Sequence, residues 1–138
     1  ARALLEAGAR PTIYYRSKER GGAVAEELGV SSGLLSELGA GNRHRVIINA
    51  TPLGLKADDS SPVSAEAFDS ETIAFDMVYD PPETRFIQDA RSKGAEVIRG
   101  DEMLVAQGLV QFELFTGQKA SREAFDSSLK AARSARSP

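Results

Sequence analysis

The sequence contains no cysteine, no tryptophan and a single histidine, His44. The lack of cysteine excludes disulfides, thiolate metal sites and cysteine nucleophiles within these 138 residues. It is compatible with a reducing cytoplasm, and we expect a cytoplasmic protein. One histidine offers no partner for a metal site and no acidic cluster surrounds it in sequence, so we expect no metal. His44 is interpreted as a solvent-exposed loop residue.

The chain also lacks long apolar runs and an excess of basic charge. No apolar segment approaches the ~20 residues that span a bilayer. Twenty acidic residues against seventeen basic ones give a net charge of −3. This balance argues against nucleic acid or an anionic membrane as the main partner. With 41% hydrophobic and 27% charged residues, the composition is that of a globular domain.

Short β-rich segments alternate with helical segments along the chain. Strands are predicted at residues 12–15, 45–50, 73–79 and 96–98, and helices at residues 1–7, 18–28, 83–93, 102–115 and 122–133. Residues 30–44 are rich in Gly and Ser and are expected to form a loop with one helical turn at 34–38. The alternation predicts an open parallel sheet covered on both faces. No strand precedes the first helix, so we expect that the chain begins inside a larger protein.

Polar residues follow the predicted strands, where parallel sheets bind their ligands. Arg16, Ser17 and Arg20 come after the first strand. Guanidinium groups beside a helix N-terminus suit a phosphate dianion, so this segment favours NADP(H) over NAD(H). The alternative is an ordinary hydrated helix start. Residues 49–54 follow a buried strand and form either a cofactor-lining loop or a polar turn.

Further candidates lie on later elements. Asp76, within an apolar stretch, is expected to be at least partly buried. It is either a structural acceptor of backbone N–H groups, which we favour, or a functional group. Tyr79 ends the same strand beside the expected cleft. Gln107 shares a helix face with Met103 and either bonds a ligand hydroxyl or is a satisfied core glutamine. Charged residues interpreted as solvated surface are Asp58, Asp59, Lys130, Arg133 and Arg136.

Several spaced motifs together resemble the C-terminal, NADP-binding domain of shikimate dehydrogenases. They are ARALLEAGA at 1–9, the basic segment at 15–20, INATPLGL at 48–55, DMVYDP at 76–81, GDEMLVAQ at 100–107 and FELFTG at 112–117. The first resembles the helix that follows the family's glycine-rich phosphate loop. Tyr15 and Ser17 stand where the family has asparagine and threonine. The resemblance spans essentially the whole chain.

The resemblance implies a Rossmann-like α/β fold, a three-layer parallel sheet with helices on both faces, here without its first strand. That strand is central in the family's order, so two neighbouring strands are expected to lack a partner. The implied domains are an NADP-binding domain at 1–117, incomplete at its N-terminus, and a C-terminal helix at 118–138 that packs back toward a substrate domain.

The implied activity is the reversible, NADP-dependent reduction of 3-dehydroshikimate to shikimate in aromatic amino-acid biosynthesis, by a monomer or homodimer. The alternatives are a quinate/shikimate dehydrogenase that uses NAD or NADP, and a truncated non-catalytic nucleotide-binding module. No catalytic residue is expected here, because the family's catalytic Lys and Asp belong to the N-terminal substrate domain. The implied substrate contacts are Tyr79 and Gln107. The implied cofactor contacts are Arg16, Ser17, Arg20, Asn49, Ala50, Thr51, Pro52, Met77, Val78, Gly100 and Met103.

The 138 residues on their own are therefore expected to be inactive, because they lack the family's catalytic pair and glycine-rich loop. The check is an assay of NADP-dependent shikimate oxidation by the purified 138-residue polypeptide. Measurable turnover would contradict this expectation.

Overall fold

The computed structural model describes residues 1–39, 41, 44–56 and 58–135, and the side chain of Arg20 lies outside the description. Its helices and strands, in chain order, are α1 (Arg2–Glu6), β1 (Thr12–Tyr15), α2 (Lys18–Leu28), β2 (Ser31–Leu34), β3 (Val46–Asn49), β4 (Ile73–Asp76), α3 (Arg85–Ser92), β5 (Glu96–Ile98), α4 (Gly100–Thr116) and α5 (Arg122–Ser134). Single turns of 3-10 helix lie at Leu35–Glu37 and Ala65–Ala67.

The bounds of β1, α2 and β5 agree with the sequence prediction, whereas β3 and β4 end earlier. β3 ends at Asn49 because the Asn49 side chain accepts the Thr51 N–H at 3.0 Å. β4 ends at Asp76 because its carboxylate accepts the Val78 N–H at 3.0 Å. In both cases a short polar side chain captures a nearby backbone donor and turns the chain away from the ladder.

Residues 30–44 contain a strand that the sequence pattern does not predict. β2 pairs in parallel with β1, with Tyr14 opposite Gly33. A side chain at Gly33 would begin 3.1 Å from the Tyr14 ring, so glycine leaves room for that ring beside the strand. The sequence SSGL has little β propensity of its own, and its extended form comes from pairing with β1.

The described strands form two parallel ladders. One has the order β1-β2 and the other β3-β4-β5. Within the second, Asn49 lies opposite Asp76, which places two polar side chains side by side at the carboxyl edge. Parallel strands joined through helices confirm the predicted α/β class. Among the described strands, β1, β2, β3 and β5 each leave one edge unpaired.

The core lies between α3 and one face of the three-stranded ladder. Ile47 of β3 and Ala74 of β4 pack against the helix side chains Phe86 and Ile87. The Phe68 ring meets Phe86 edge-on, with ring centroids 5.2 Å apart. The alternate strand residues point to the opposite face and are less buried. They are Val46, Ile48, Ile73 and Phe75.

α4 and α5 form a helical pair at the C-terminal end of the described chain. Phe125 of α5 packs on α4 at Gly108, where a side chain would begin 2.6 Å from the ring. α4 also carries apolar residues that remain exposed, among them Leu114 and Phe115, the latter 87% exposed. None of the helices in the described ranges combines the length and apolar character needed to cross a bilayer.

Replacing Phe86 by alanine tests this core. Phe86 is 1% exposed, so Phe86→Ala is expected to lower the free energy of unfolding by about 3–5 kcal/mol. Gln88→Ala, on the exposed side of α3, serves as the control and is expected to change it by less than about 0.5 kcal/mol. Urea denaturation of both variants measures the difference, and equal losses would place the core elsewhere.

Candidate functional site

The buried side chain of Asn49 holds the loop after β3 in place through hydrogen bonds. Its side-chain amide donates to the Leu53 carbonyl and to Asp76, each at 3.0 Å. Its carbonyl oxygen accepts from the backbone and the hydroxyl of Thr51. Because Asn49 is 2% exposed and its amide is fully engaged, it shapes the loop from beneath, while Ala50 and Pro52 form its exposed surface.

Asp76 connects this loop to the segment after β4. Its carboxylate is completely buried and accepts from Asn49, from the Val78 N–H and from the Thr84 hydroxyl. The interpretation of Asp76 as a structural acceptor is confirmed. Thr84 also accepts the Ile87 N–H at 3.3 Å and so caps α3. One carboxylate thus fixes the ends of β3 and β4 and the start of α3.

The segment after β4 presents two side chains to solvent and buries the one between them. Met77 and Tyr79 are 45% and 44% exposed, whereas Val78 is 5% exposed. No partner for the Tyr79 hydroxyl is present among the described residues. Because β3 and β4 are adjacent and parallel, this segment lies beside the loop that carries Thr51.

α4 begins directly against this segment. A side chain at Gly100 would begin 2.3 Å from the Val78 carbonyl oxygen and 2.7 Å from the Tyr79 nitrogen, so glycine is required for this backbone contact. Met103 is half-buried one turn later, and Gln107 is exposed. The alternative that Gln107 is a buried core residue is therefore wrong.

The basic residues after β1 lie on the other ladder. Arg16 is exposed and, within the described chain, its guanidinium has no hydrogen bond or ion pair. Ser17 is the N-cap of α2, but its side chain caps no backbone N–H. Its hydroxyl donates instead to Glu19, and this bond lowers the pKa of the Glu19 carboxyl. The predicted contact of Arg20 lies outside the described residues, because its side chain is not described.

Arg133 contradicts the interpretation of a hydrated helix face. It donates to the Asp101 carboxylate at 3.0 Å and to the Tyr79 carbonyl. Burial alone would raise the pKa of Asp101, but the hydrogen bond from Arg133 and then the charge and hydrogen bond of Arg99 outweigh it and lower that pKa. Sequence reasoning missed this contact because 32 positions separate the partners. The other two basic residues interpreted with Arg133 as solvated surface are Lys130, which is exposed, and Arg136, which lies outside the described residues.

Two other surface interpretations are corrected by contacts. His44 is half-buried and shares a hydrogen bond of 2.9 Å with the Tyr14 hydroxyl. Asp59 accepts the backbone N–H groups of Gly54 and Lys56, at 2.9 and 3.0 Å, and closes the loop. These bonds lower the pKa of Asp59, the one from Lys56 most. Asp58 is exposed, as expected.

An open cavity of about 770 Å³ lies beside this closed loop. Its lining includes Asp59, Thr84, Arg85 and Asp89. None of the described residues expected to contact cofactor or substrate lines it. Across the described ranges, no three His, Asp or Glu side chains converge as a metal site would require.

The structure therefore groups most candidate residues and leaves one pair apart. The surface of the 50–52 loop, the 77–79 segment and the start of α4 form one neighbourhood at the carboxyl edge of β3 and β4. Arg16 and Ser17 follow β1 of the other ladder. The arrangement offers exposed hydrogen-bonding groups at Tyr79 and Gln107, and a guanidinium at Arg16 that has no partner among the described residues.

Comparisons with known proteins agree with this geometry. A family model, Shikimate 5'-dehydrogenase C-terminal domain, matches residues 100–130. A shikimate dehydrogenase (NADP(+)) of Thermus thermophilus is 40% identical over 115 residues, which are 83% of this chain and 43% of that protein. The enzyme of the same name from Halobacterium salinarum is 38% identical over 135 residues, 94% of this chain and 49% of that protein.

A solved structure extends the likeness to three dimensions. Shikimate 5-dehydrogenase from Thermus thermophilus, in complex with NADP(H) and shikimate, matches with a TM-score of 0.82 and 36% identity, over 94% of this chain and 49% of that one. Fold and site thus define a Rossmann-like α/β domain. The chain is similar to shikimate dehydrogenases, and the family model that it matches describes their C-terminal domain. It spans less than half the length of these relatives.

Substitutions at Thr84 test the network that supports the site. Thr84→Val removes the hydroxyl that donates to Asp76 and caps α3, so the free energy of unfolding is expected to fall by about 2 kcal/mol. Thr84→Ser keeps the hydroxyl and is the matched control, with a loss of about 1 kcal/mol or less for the missing methyl. Urea denaturation measures both. A serine variant as unstable as the valine variant would show that the hydroxyl is not the stabilising group.

Proposed function

We propose that this chain provides the cofactor-binding half of an NADP-dependent shikimate dehydrogenase. The enzyme reversibly reduces 3-dehydroshikimate to shikimate in aromatic amino-acid biosynthesis. The names of the relatives and the ligands of the Thermus structure support the proposal. The observation on this chain that carries it is the exposed guanidinium of Arg16, which follows β1 beside the N-terminus of α2 and has no partner in the part of the chain that the structure describes. The cytoplasmic location and the monomeric or homodimeric state stay predictions.

The chemistry of the donors after β1 fits a cofactor with an extra phosphate. In our proposal Arg16, Ser17 and Arg20 hold the adenosine 2′-phosphate. A guanidinium binds a phosphate dianion through two parallel hydrogen bonds. Ser17 caps no backbone N–H of α2, so its side chain does not block the N-terminus of the helix, and the helix dipole there favours an anion.

The carboxyl edge of β3 and β4 suits the other end of the cofactor. We assign Ala50, Thr51 and Pro52 as its lining on one strand end, and Met77 and Val78 on the next, with Asn49 acting through the loop that it organises. Gly100 contributes through its backbone and Met103 through its side chain. NADPH, when bound, supplies the hydride, whereas these residues supply orientation and exclude water.

Tyr79 and Gln107 are assigned to the substrate. Both are exposed and neutral, and both donate and accept hydrogen bonds. Such groups suit the hydroxyl groups of shikimate, whose orientation must be fixed before hydride transfer. Proton transfer is assigned to the Lys and the Asp of the family's substrate domain, and that domain is not part of these 138 residues.

The domain boundaries remain part of the proposal. Residues 1–117 form the NADP-binding domain and residues 118–138 pack back toward the substrate domain. The exposed apolar side chains of Leu114 and Phe115, just before the second segment, support this arrangement. Large exposed apolar side chains at neighbouring positions are typical of surfaces that another domain covers.

One contact favours a second candidate, a quinate/shikimate dehydrogenase that accepts NAD. Glu19 lies against the Ser17 hydroxyl, and a carboxylate at this place repels a 2′-phosphate and suits a ribose hydroxyl. Arg16 and Glu19 therefore act in opposite directions on cofactor choice. Their separate replacement distinguishes the two candidates.

Cofactor affinities of the full-length protein test the proposal. Arg16→Ala is expected to raise the dissociation constant of NADP+ about 10- to 100-fold, the equivalent of one charge-assisted hydrogen-bonded pair. The dissociation constant of NAD+ should change less than about twofold, because NAD+ lacks the phosphate. Glu19→Gln is expected to tighten NADP+ binding by removing the repulsion. Isothermal titration calorimetry of the unaltered protein and of both variants measures these dissociation constants.

Arg10→Ala is the matched control, because it removes the same charge before β1 rather than after it. It should leave both dissociation constants unchanged. Equal weakening of NADP+ and NAD+ by Arg16→Ala would contradict the phosphate assignment. Tighter binding of NAD+ than of NADP+ by the unaltered protein would favour the second candidate.

A further inference from the structure

Arg133 joins three elements that are distant in sequence. It lies in the last turn of α5, contacts Asp101 in the first turn of α4 and donates to the carbonyl of Tyr79 after β4. We propose that Arg133 is a positioning residue that holds the backbone of Tyr79, and with it the substrate-facing hydroxyl, against the start of α4. This inference rests on the proposed function.

The contact of Arg133 with Asp101 is partly buried, and its bond to the Tyr79 carbonyl lies at the surface. Its side chain is 25% exposed and that of Asp101 is 9% exposed. One guanidinium nitrogen donates to the Asp101 carboxylate at 3.0 Å and the other to the Tyr79 carbonyl. The third nitrogen, Nε, is buried and has no partner in the described chain. A buried donor without a partner is costly, so this geometry is maintained by the two contacts that the guanidinium does make.

Arg133 is one of two guanidinium groups at Asp101. Arg99 also approaches both carboxylate oxygens, at 3.0 Å through Nε and 3.3 Å through Nη2. Arg99 is shared with the carboxylates of Glu83 and Glu102, at 3.4 and 3.8 Å. What Arg133 adds is the bond to the Tyr79 carbonyl. Asp101 in turn orients Arg133 toward that carbonyl.

Arg133 and α4 restrain the same short piece of backbone. Gly100, at the start of α4, packs closely against the Val78 carbonyl and the Tyr79 nitrogen. Arg133 donates a hydrogen bond to the carbonyl of Tyr79. Tyr79 is 44% exposed, and no described residue bonds its hydroxyl. The backbone sets the direction in which this side chain leaves the chain, and Gly100 and Arg133 restrain that backbone.

The test compares Arg133→Met with Lys130→Met in the full-length protein. Methionine keeps much of the unbranched length of either side chain and removes its charge. Lys130 lies on the same helix, is exposed and lacks a side-chain partner among the described residues, so it controls for charge and for helix sequence. Thermal denaturation of both variants confirms that they are folded at the temperature of the assays.

Backbone hydrogen exchange is the first readout, and it does not depend on activity. In Arg133→Met, the amides of residues 77–80 and 83 are expected to exchange at least about threefold faster, because a local restraint is lost; Pro81 and Pro82 have no amide hydrogen. Amides of β3 should be unchanged, and Lys130→Met should match the unaltered protein at both places. Unchanged exchange at 77–83, or an equal increase throughout the protein, would overturn the proposal.

Kinetics with shikimate and NADP+ is the second readout. Arg133→Met is expected to raise the KM for shikimate about tenfold and to change the KM for NADP+ less than about twofold. In the presence of Tyr79→Phe the same substitution should change the KM for shikimate less than about twofold, because the hydroxyl that it positions is absent. Additive effects of the two substitutions would overturn the proposal.

The two readouts separate this inference from the proposed function. If the unaltered full-length protein does not oxidise shikimate, the proposed function fails. Hydrogen exchange then still decides whether Arg133 restrains residues 77–83. If the protein is active and Arg133→Met leaves exchange and the KM for shikimate unchanged, the positioning role fails while the proposed function stands.

Discussion

The hydrogen bond between Asn49 and Asp76 is the constraint on which the candidate site depends. These two side chains lie opposite each other in adjacent parallel strands, both almost fully buried. A buried carboxylate is stable only when donors surround it, and here the donors are the Asn49 amide, the Val78 N–H and the Thr84 hydroxyl. Each donor is attached to a different piece of chain. Satisfying one charge therefore fixes two strand ends and a helix start together.

A second group of charges fixes the remaining side of the site. Asp101 lies between the guanidinium groups of Arg99 and Arg133 at the start of α4. Together with the close backbone approach at Gly100, these contacts set the distance between α4 and the segment after β4. The buried carboxylate of Asp76 thus fixes the strand ends beneath the site, and that of Asp101 fixes the start of α4 beside it. The surface between them is left to neutral groups such as Tyr79 and Gln107, which bind a ligand without a large cost of desolvation.

Local signals made much of the fold predictable, and long-range contacts account for the rest. β1, α2 and β5 follow from β-rich residues, a serine N-cap and terminating glycines. β2 was missed because SSGL becomes a strand only through its pairing with β1. The same reasoning treated His44 and Arg133 as solvated, since their partners lie 30 and 32 positions away. The candidate residues came from motifs; the supporting roles of Asn49 and Arg133 required the packed structure.

An NMR titration of the full-length protein with NADP+ follows every backbone amide and tests the candidate site directly. Binding at this site is expected to concentrate chemical-shift changes at residues 16–20, 50–52, 77–79 and 100–103, which are the carboxyl edges of β1, β3 and β4 and the start of α4. Changes concentrated instead around the cavity lined by Asp59, Arg85 and Asp89, or scattered over unrelated surfaces, would contradict it.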